Sequence, residues 1–441
     1  MNRVTVRADA FHCQNGMAGH GKRAPPWFPN CDGTCGTQGG YKNAVMHLGR
    51  LENISSTQKP VLLDVSTGVK NTPAVNVQVQ DCDISSSWHI FQGNVQHFVA
   101  RNNVLWNGGM AFYLIPRESI IEGNDATGSS VISGGGGYNF AQHLYHGNNR
   151  IRNIHGNDRE VMTFDGEDNV YYGTATEWNE THVITPNCPG RPDSRFPDAL
   201  FSVAGSQLMI VDGPGTGQYR RVITGDMPTS GQCFFAIDKP FDGLNNVPLG
   251  NITFVVAAFT GRNIFDRNTF EDGGPFQFYN SGVHDIASGM TFRRTEGAWN
   301  SGMDVAASLR NGSKNNAHNG CPNPSYFNEF TNNNFEVGHR APHLGSPSLQ
   351  NRDLFWNQVV AKFLFSMGMA GQGRGHSNRF IVFRRNSFVG ANGIKIWGIG
   401  SSDVLVENNR FNGTNISIAL DHFPTNVSAV TNVVIRGNRE L

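Results

Sequence analysis

The chain has 441 residues, of which only 16% are charged, against ~25% in an ordinary soluble domain. Its 35 basic and 35 acidic residues balance, so bulk charge directs it toward neither nucleic acid nor membrane. Glycine (52 residues) and asparagine stand where charge would be, and the length is enough to bury a large core.

The N-terminal segment MNRVTVRADAF alternates like a strand and lacks the apolar stretch of a signal peptide. It opens in mid-strand with no polar cap, the pattern of a segment cut from a longer precursor. Seven cysteines (Cys13, Cys31, Cys35, Cys82, Cys188, Cys233 and Cys321) fit no complete disulfide framework, although Cys31/Cys35 and Cys188/Cys233 are plausible pairs. Seven glycosylation sequons begin at Asn53, Asn179, Asn251, Asn311, Asn412, Asn415 and Asn426. They point toward secretion, with the reservation that a chain this rich in Asn makes some by chance. The longest apolar run, Phe254 to Phe259, is too short to cross a bilayer.

One phrase recurs along the chain: a polar stretch, Asn, any residue, an apolar residue and a turn. It occurs at Asn103, Asn124, Asn149, Asn268, Asn333, Asn386, Asn409 and Asn438, with degenerate copies at Cys82 and Met290. The steps from Cys82 to Asn103 to Asn124 are 21 residues each, and the step from Asn268 to Met290 is 22. That period suits one coil of a β-solenoid with three short strands, each coil stacking at ~4.8 Å on the next. The asparagines read as structural: Asn tolerates the left-handed turn conformation, and its amide can bond from coil to coil. Strand patterns at Val75–Gln80, Arg379–Phe383, Asp403–Glu407 and Asn432–Arg436 each precede a copy of the phrase. The one helical candidate is a short stretch near Gln350–Phe365.

The phrase is missing between Asn149 and Asn268. Proline gathers there, and IVDGPGTGQYRRVI followed by FFAIDKPF reads as strand, turn and strand. The expected organisation is therefore a β-helix over residues 1–172 and 259–441, interrupted by a small β-rich domain over 173–258. A second irregular stretch, Asn311–Pro324, reads as a surface loop.

The repeated Asn-x-apolar coils resemble the pectate-lyase-like superfamily of single-stranded right-handed β-helices, over nearly the whole chain outside the insertion. The resemblance implies an all-β, right-handed parallel β-helix that handles carbohydrate. It does not imply a reaction, since that superfamily includes lyases, hydrolases, epimerases, esterases, tailspikes and adhesins. The NTD and paired-Asp motifs of polygalacturonases are absent. GHR at Gly338–Arg340 and GIKIW at Gly393–Trp397 only echo that family, and the DPHE-type signature of alginate epimerases is missing.

In such a fold the groove runs along one parallel sheet. Aligning HIFQ, AFYLI, VMTFD, FQFYN, MDVAA, IKIW and SIALD as its strands predicts by alternation which side chains leave the core. Thr163, Asp165, Gln277, Tyr279, Asp304, Lys395 and Trp397 are expected to face solvent, and a one-residue slip would reverse each assignment. The densest chemical cluster, His155 to Asp168, holds Asp158, Arg159, Glu160 and Asp165. It fits a solvated turn of ion pairs, and it also fits an active site in which an acid attacks or protonates a sugar and Arg159 holds a substrate carboxylate or sulfate. The expected catalytic set is Asp158, Glu160, Asp165 and Asp304, with Arg159, Gln277, Tyr279, Lys395 and Trp397 binding substrate. One coil between Asp165 and Asp304 would separate their backbones by roughly 9–10 Å, within reach of the ~6.5–9.5 Å of an inverting glycosidase pair. Glu271, Asp272 and Glu296 are alternative partners that read more simply as surface carboxylates.

The rival chemistry is β-elimination from a uronic acid. It would use a base among Arg293–Arg294, His339–Arg340 and Lys395, and Ca2+ held by Asp158, Glu160 and Asp165. Tyr113, Tyr279 and Trp397 are placed to stack on sugar rings, whereas Trp88, Trp106 and Trp299 read as turn or core packing. Cys31-x3-Cys35 lacks the second pair of a zinc site, and SGGGG at Ser133–Gly137 is a turn without the lysine of a phosphate loop. The expected function is a secreted glycoside hydrolase on a polysaccharide, requiring no metal. A calcium-assisted lyase is the first alternative and a non-catalytic glycan-binding adhesin the second. Neither nucleic acid nor membrane is an expected partner, and a monomer or a homotrimer fits equally.

Overall fold

In the computed structural model the described residues are 5–7, 45–47, 50–51, 63–65, 74–86, 90–107, 110–128, 134–139, 141–154, 161–165, 171–186, 206–226, 231–244, 252–257, 259–279, 282–295, 297–303, 324–336, 365–372, 378–390, 392–398, 401–413, 417–421 and 430–441. Outside one inserted segment the strands pair in parallel, coil upon coil, except Thr5–Arg7, which runs antiparallel to Val45–His47. Each coil presents three faces. The first stacks Val99–Arg101, Gln142–Gly147, Ile264–Asp266, Ile286–Ser288, Glu329–Thr331 and their equivalents. The second is an 11-stranded sheet from Arg50–Leu51 to Arg439–Glu440. The third stacks Phe91–Gln96, Met110–Glu122, Gly134–Asn139, Met162–Asp165, Phe276–Tyr279, Ala298–Met303, Phe365–Gln372, Asn392–Gly398 and Ile418–Asp421. This is a parallel β-helix. Among the described residues no helix is long and apolar enough to cross a membrane, and the stretch 350–364 lies outside them.

Coil stacking places like residues above one another inside the rod. On the second face Phe270, Phe292, Phe335, Phe388 and Phe411 stack with centroids 5.3, 4.7, 4.9 and 5.1 Å apart, close to the strand spacing. Met162 and Phe164, Phe276 and Phe278, and Ile394 and Ile396 point from the third face into the same core.

At one corner the asparagines form a continuous ladder. Asn103 Nδ2 donates to Asn124 Oδ1 at 2.9 Å, and Asn124 Nδ2 to Asn149 Oδ1 at 2.8 Å. The series resumes through Asn333, Asn386, Asn409 and Asn438. Each amide also donates to a backbone carbonyl of the preceding coil, as Asn103 does to Val79 at 3.0 Å. The left-handed residue is not the ladder asparagine, contrary to the sequence expectation, but the one before it. Asp81, Asn102, Asn148, Arg267, Asn332, Arg385 and Asn408 have φ between 51° and 56°, so the asparagine is selected for its buried amide and not for its backbone.

A second left-handed column runs up the next corner through Asn76, His97, Glu118, His143, Arg262, His284, Phe327 and Phe380. The residue following each left-handed one again faces inward, and in three consecutive coils it is Asn263, Asp285 and Asn328. Asn263 Nδ2 donates to Asp285 Oδ1 at 2.9 Å, and the Asp285 backbone N–H donates to Asn328 Oδ1 at 2.9 Å. Beside the first ladder His146 is fully buried among Phe112, Tyr138 and Phe265. Burial pulls its pKa down to about 3, opposed by its hydrogen bond to Asn268.

Between Asn149 and Asn268 the chain leaves the helix and returns without losing a rung. Asn149 Nδ2 donates directly to Asn268 Oδ1 at 3.0 Å. The excursion forms a seven-stranded antiparallel sheet, in the order Tyr171–Thr174, Thr253–Ala257, Gln207–Asp212, Tyr219–Asp226, Phe234–Ile237, His182–Ile184 and Glu177–Trp178. It has its own core of Val183, Leu208, Ile210, Val222, Phe235, Phe254 and Val256, and Cys233 is disulfide-bonded within that core. Met209, Val211, Val255 and Ala257 then pack against Phe259, Val283 and Tyr326 of the helix. Gly217, at φ +91°, lies on the stacked rings of Phe327 and Phe380, where a Cβ would come within 2.7 Å of Phe327.

Two further expectations are corrected. Glycines 134–137 are not a turn but part of the strand Gly134–Asn139, in register with Met110–Leu114 below and Thr163–Asp165 above. Trp106 is 51% exposed on the second face, not packed in the core.

Candidate functional site

The parallel register of the third face fixes which residues share a column along its length. One column runs Tyr113, Gly137, Thr163, Gln277, Trp299, Gly368, Lys395 and Ala419. Two residues further along each strand the next column runs Asn139, Asp165, Tyr279, Ser301, Ala370, Trp397 and Asp421. Both columns lie on one face of the parallel β-helix. In these columns Asp165 and Tyr279 are immediate neighbours at about 4.8 Å, and Trp397 lies roughly 19 Å from Asp165 at four strand steps.

Thr163, Gln277 and Lys395 alternate with core residues on either side and so point away from the core. They are nonetheless only 6%, 1% and 3% exposed, which corrects the expectation that Thr163, Gln277 and Lys395 face solvent. At these coils the outer side of the third face is an enclosed surface. Gln277 Nε2 donates to the Thr163 hydroxyl at 3.3 Å. For Asp165, Tyr279 and Trp397 the backbone position alone is described, and Asp158, Arg159, Glu160 and Asp304 lie outside the described residues.

The register thus brings Thr163, Asp165, Gln277 and Tyr279 to one patch of two adjacent strands. Lys395 and Trp397 sit three strands beyond that patch, too far to share its reacting bond and close enough to meet another part of an extended ligand. The alignment of MDVAA as a groove strand does not hold. The strand is Ala298–Met303, and the residue two steps from Asp165 is Ser301, three residues before Asp304. Sequence reasoning missed Trp299 and Asp421 as groove residues, although they share columns with Gln277 and Trp397. For Asp421 the signal is present in the pattern, because aligning SIALD beneath IKIW puts it under Trp397.

Several charged candidates serve structure. Glu271 is buried on the second face between Arg150 Nη2, at 2.7 Å, and Arg293 Nη1, at 3.3 Å. Burial alone would raise its pKa, but the bonds and charges of the two arginines outweigh it and hold the carboxyl below its ordinary range. Arg293 also pairs with Glu336, and Arg294 with Asp272. Among the described residues no group of three His, Cys, Asp or Glu is placed to hold a metal ion.

No protein-family model and no curated protein sequence matches the chain. Among solved structures it is similar to the A-module of mannuronan C-5 epimerase AlgE6 from Azotobacter vinelandii, at 9% identity and a TM-score of 0.47, over 91% of this chain and 76% of that one. It is also similar to the catalytic unit of a thermostable GH87 alpha-1,3-glucanase from Streptomyces thermodiastaticus strain HF3-3. That likeness has 9% identity and a TM-score of 0.31, over 90% of this chain and 62% of the other. At these scores neither likeness carries an argument about function, and the fold assignment rests on the register given above.

Proposed function

We propose that this chain is a secreted carbohydrate-active enzyme that holds a polysaccharide along its third face. Asp165 acts at the sugar as acid or nucleophile beside Gln277 and Tyr279, while Lys395 and Trp397 bind residues further along the same ligand. The observation that supports this reading is the shared register of Asp165, Tyr279 and Trp397, next to a column whose polar members Gln277 and Lys395 are buried while pointing away from the core. Buried polar groups outside a core are characteristic of ligand sites, where a few fixed hydrogen-bonding groups set orientation. The disulfide at Cys233 suits an oxidising compartment.

Glycoside hydrolysis is the favoured reaction because acids crowd the sequence around Asp165. Its second carboxylate would come from Asp158, Glu160 or Asp304, with Arg159 on the substrate. One observation favours elimination instead. Lys395 is a buried lysine on the groove side, the kind of residue recruited as a base, and in that case Ca2+ would neutralise the substrate carboxylate.

The test is a polysaccharide panel read for new reducing ends and for ultraviolet-absorbing unsaturated products. Reducing ends without absorbance identify a hydrolase, and both together identify a lyase. Asp165→Asn is expected to lower turnover by about 10²–10⁴-fold. Unchanged turnover in that variant removes Asp165 from the site, and binding without turnover by the unmodified chain makes the rod a glycan-binding protein.

A further inference from the structure

Where the inserted sheet meets the helix there is a half-open cleft lined by Gln142, His143, Gln207, Tyr219, Thr260 and Arg262 among others. Its enclosed volume is only about 30 Å³, so a ligand meets it as an open depression and not as a closed cavity. It opens on the coils of the Asn139, Asp165 and Tyr279 column, where Gln142, Gly261 and Val283 follow one another in register. The cleft therefore lies on the same coils as that column, on the first face of the rod.

Its charge comes from both sides. In the strand Tyr219–Asp226, Arg220 and Val222 turn into the inserted core, so Tyr219 and Arg221 share the opposite side. Gln207 is the register partner of Arg221. On the helix side, His143 and Arg262 are successive members of the left-handed corner column, and Arg117 is the register partner of Gln142. Desolvation, then the charge of Arg221, hold the Arg117 guanidinium below its ordinary range, while Glu118 acts weakly against them. The Arg221 charge thus bears directly on Arg117 across the junction. Among the described residues none of Arg117, Arg221 and Arg262 is in an ion pair. Many other arginines of the rod do pair with carboxylates, among them Arg150, Arg152, Arg293, Arg294, Arg379 and Arg384.

Tyr219 completes the arrangement. Arg262 Nη2 donates to its hydroxyl at 3.0 Å, and the guanidinium lies 5.9 Å from its ring centroid. A guanidinium anchored through one nitrogen keeps its other donors in a fixed fork, the geometry that takes a carboxylate or sulfate in two bonds. The tyrosine ring beside it is partly buried and packs on His284, with centroids 5.7 Å apart, which fixes the position of the pair, and Gln142 and Gln207 can meet hydroxyl groups.

We propose that this cleft binds one acidic sugar residue of a polysaccharide, its carboxylate or sulfate held by Arg262 in the field of Arg117 and Arg221, next to the Tyr219 ring. The proposal deepens the function proposed above and rests on it for the ligand being a glycan. It adds that the glycan is anionic, and that the inserted sheet supplies half of a binding site.

The test is titration calorimetry on the full chain and on Arg262→Gln and Arg221→Gln, using an oligogalacturonate, a sulfated galactan oligomer and a neutral glucan oligomer. Thermal melting of each variant shows whether it is folded, and the exposed Arg221 on the inserted sheet provides a second variant if Arg262→Gln does not fold. At least one acidic oligomer should bind, more weakly as salt rises, and the neutral oligomer should not compete. Which acidic oligomer binds distinguishes uronate from sulfate. Each arginine variant should weaken that affinity about tenfold or more, whereas Asp165→Asn serves only as the turnover variant. Equal affinity for acidic and neutral oligomers, or acidic binding that survives loss of both arginines, overturns the proposal. If the chain cleaves a neutral polysaccharide and binds no acidic one, this inference fails while the enzyme reading stands. Binding through Arg262 together with turnover indifferent to Asp165→Asn upholds the cleft and rejects Asp165 as the reacting acid.

Discussion

The Asn ladder makes a quantitative claim that substitution of Asn386 tests directly. Asn386 Oδ1 accepts from the Asn333 backbone N–H at 2.9 Å and from Asn333 Nδ2 at 3.0 Å. Its own Nδ2 donates to the Phe330 carbonyl and to Asn409 Oδ1, each at 3.0 Å. Asn386→Ala therefore orphans two buried donors at Asn333, while Asn409 Oδ1 keeps the bond from the backbone N–H of residue 386. At about 1–3 kcal/mol for each orphaned group, the loss is roughly 2–6 kcal/mol, a large fraction of a typical folding free energy. Met290 supplies the control, because there the chain already lacks an amide and Asn268 Nδ2 donates instead to the thioether sulfur at 3.4 Å. Met290→Asn would complete the ladder while giving up apolar burial, so it should fall within about 1 kcal/mol of the unmodified chain. Urea unfolding of the two variants measures both values. If Asn386→Ala costs under about 0.5 kcal/mol, or if Met290→Asn costs as much as Asn386→Ala, coil-to-coil amide bonding is not what selects asparagine at this corner.

Two other predictions concern titrating groups. Asp285 is fully buried, with Oδ1 bonded by Asn263 and Oδ2 without a partner, and burial pushes its pKa from 3.8 up to about 7. The folded chain thus holds a proton that the unfolded chain has released, and this contribution is complete below pH 3.8 and lost as pH rises through about 7. At ~1.4 kcal/mol per pH unit the loss reaches at most roughly 4 kcal/mol. Asp285→Asn continues the series Asn263 to Asn328 with a neutral amide, so its melting temperature should rise relative to the unmodified chain from about pH 4 to about pH 8. An offset independent of pH rejects this. Glu271 has the opposite sign. Its carboxyl is held below 4.5 by Arg150 and Arg293, so its contribution is present above pH 4.5 and lost as pH falls through the lowered value. Glu271→Gln should cost about 1–3 kcal/mol at neutral pH, because both arginines are half exposed and their loss is partly screened. That deficit should shrink in acid, and a deficit as large at about pH 3 as at about pH 7 would show that packing, not charge, is what Gln disturbs.

The helix was legible in the sequence because its determinant repeats. A ladder asparagine must bond to its copies about 21 residues away, so the coil length is written into the spacing of one residue type. The left-handed position was misplaced by one residue for a related reason. Asp, Asn, Arg and Gly share it, and a position open to four residue types leaves no recurring letter. The groove was partly legible. Alternation placed Gln277 and Lys395 outward, but both are buried, and whether an outward residue is wet depends on its tertiary neighbours, which no local pattern reports. The error at Asp304 arose where MDVAA imitates an alternating strand just past the true one, Ala298–Met303. Composition flagged the acids around Asp165 but could not separate them from Glu271 and Asp272, whose arginine partners lie one coil away and so 22 or 121 residues distant.

The insertion was the least legible element in its consequence. A segment that runs from Tyr171 to Ala257 would be expected to disturb the coils it interrupts. Its first and last strands, Tyr171–Thr174 and Thr253–Ala257, instead pair with each other, so the chain leaves and re-enters the helix at neighbouring points. Closing a longer loop costs only about 0.6 kcal/mol more for each doubling of its length, while the apolar contacts of Met209, Val255 and Phe259 recur in every folded molecule. The rung from Asn149 to Asn268 is therefore as short as those within continuous coils. The same closure brings Arg221 of the insertion against Arg117 and places Tyr219 on Arg262. Residues more than forty positions apart thus form one cleft, which exists because the insertion returns in register.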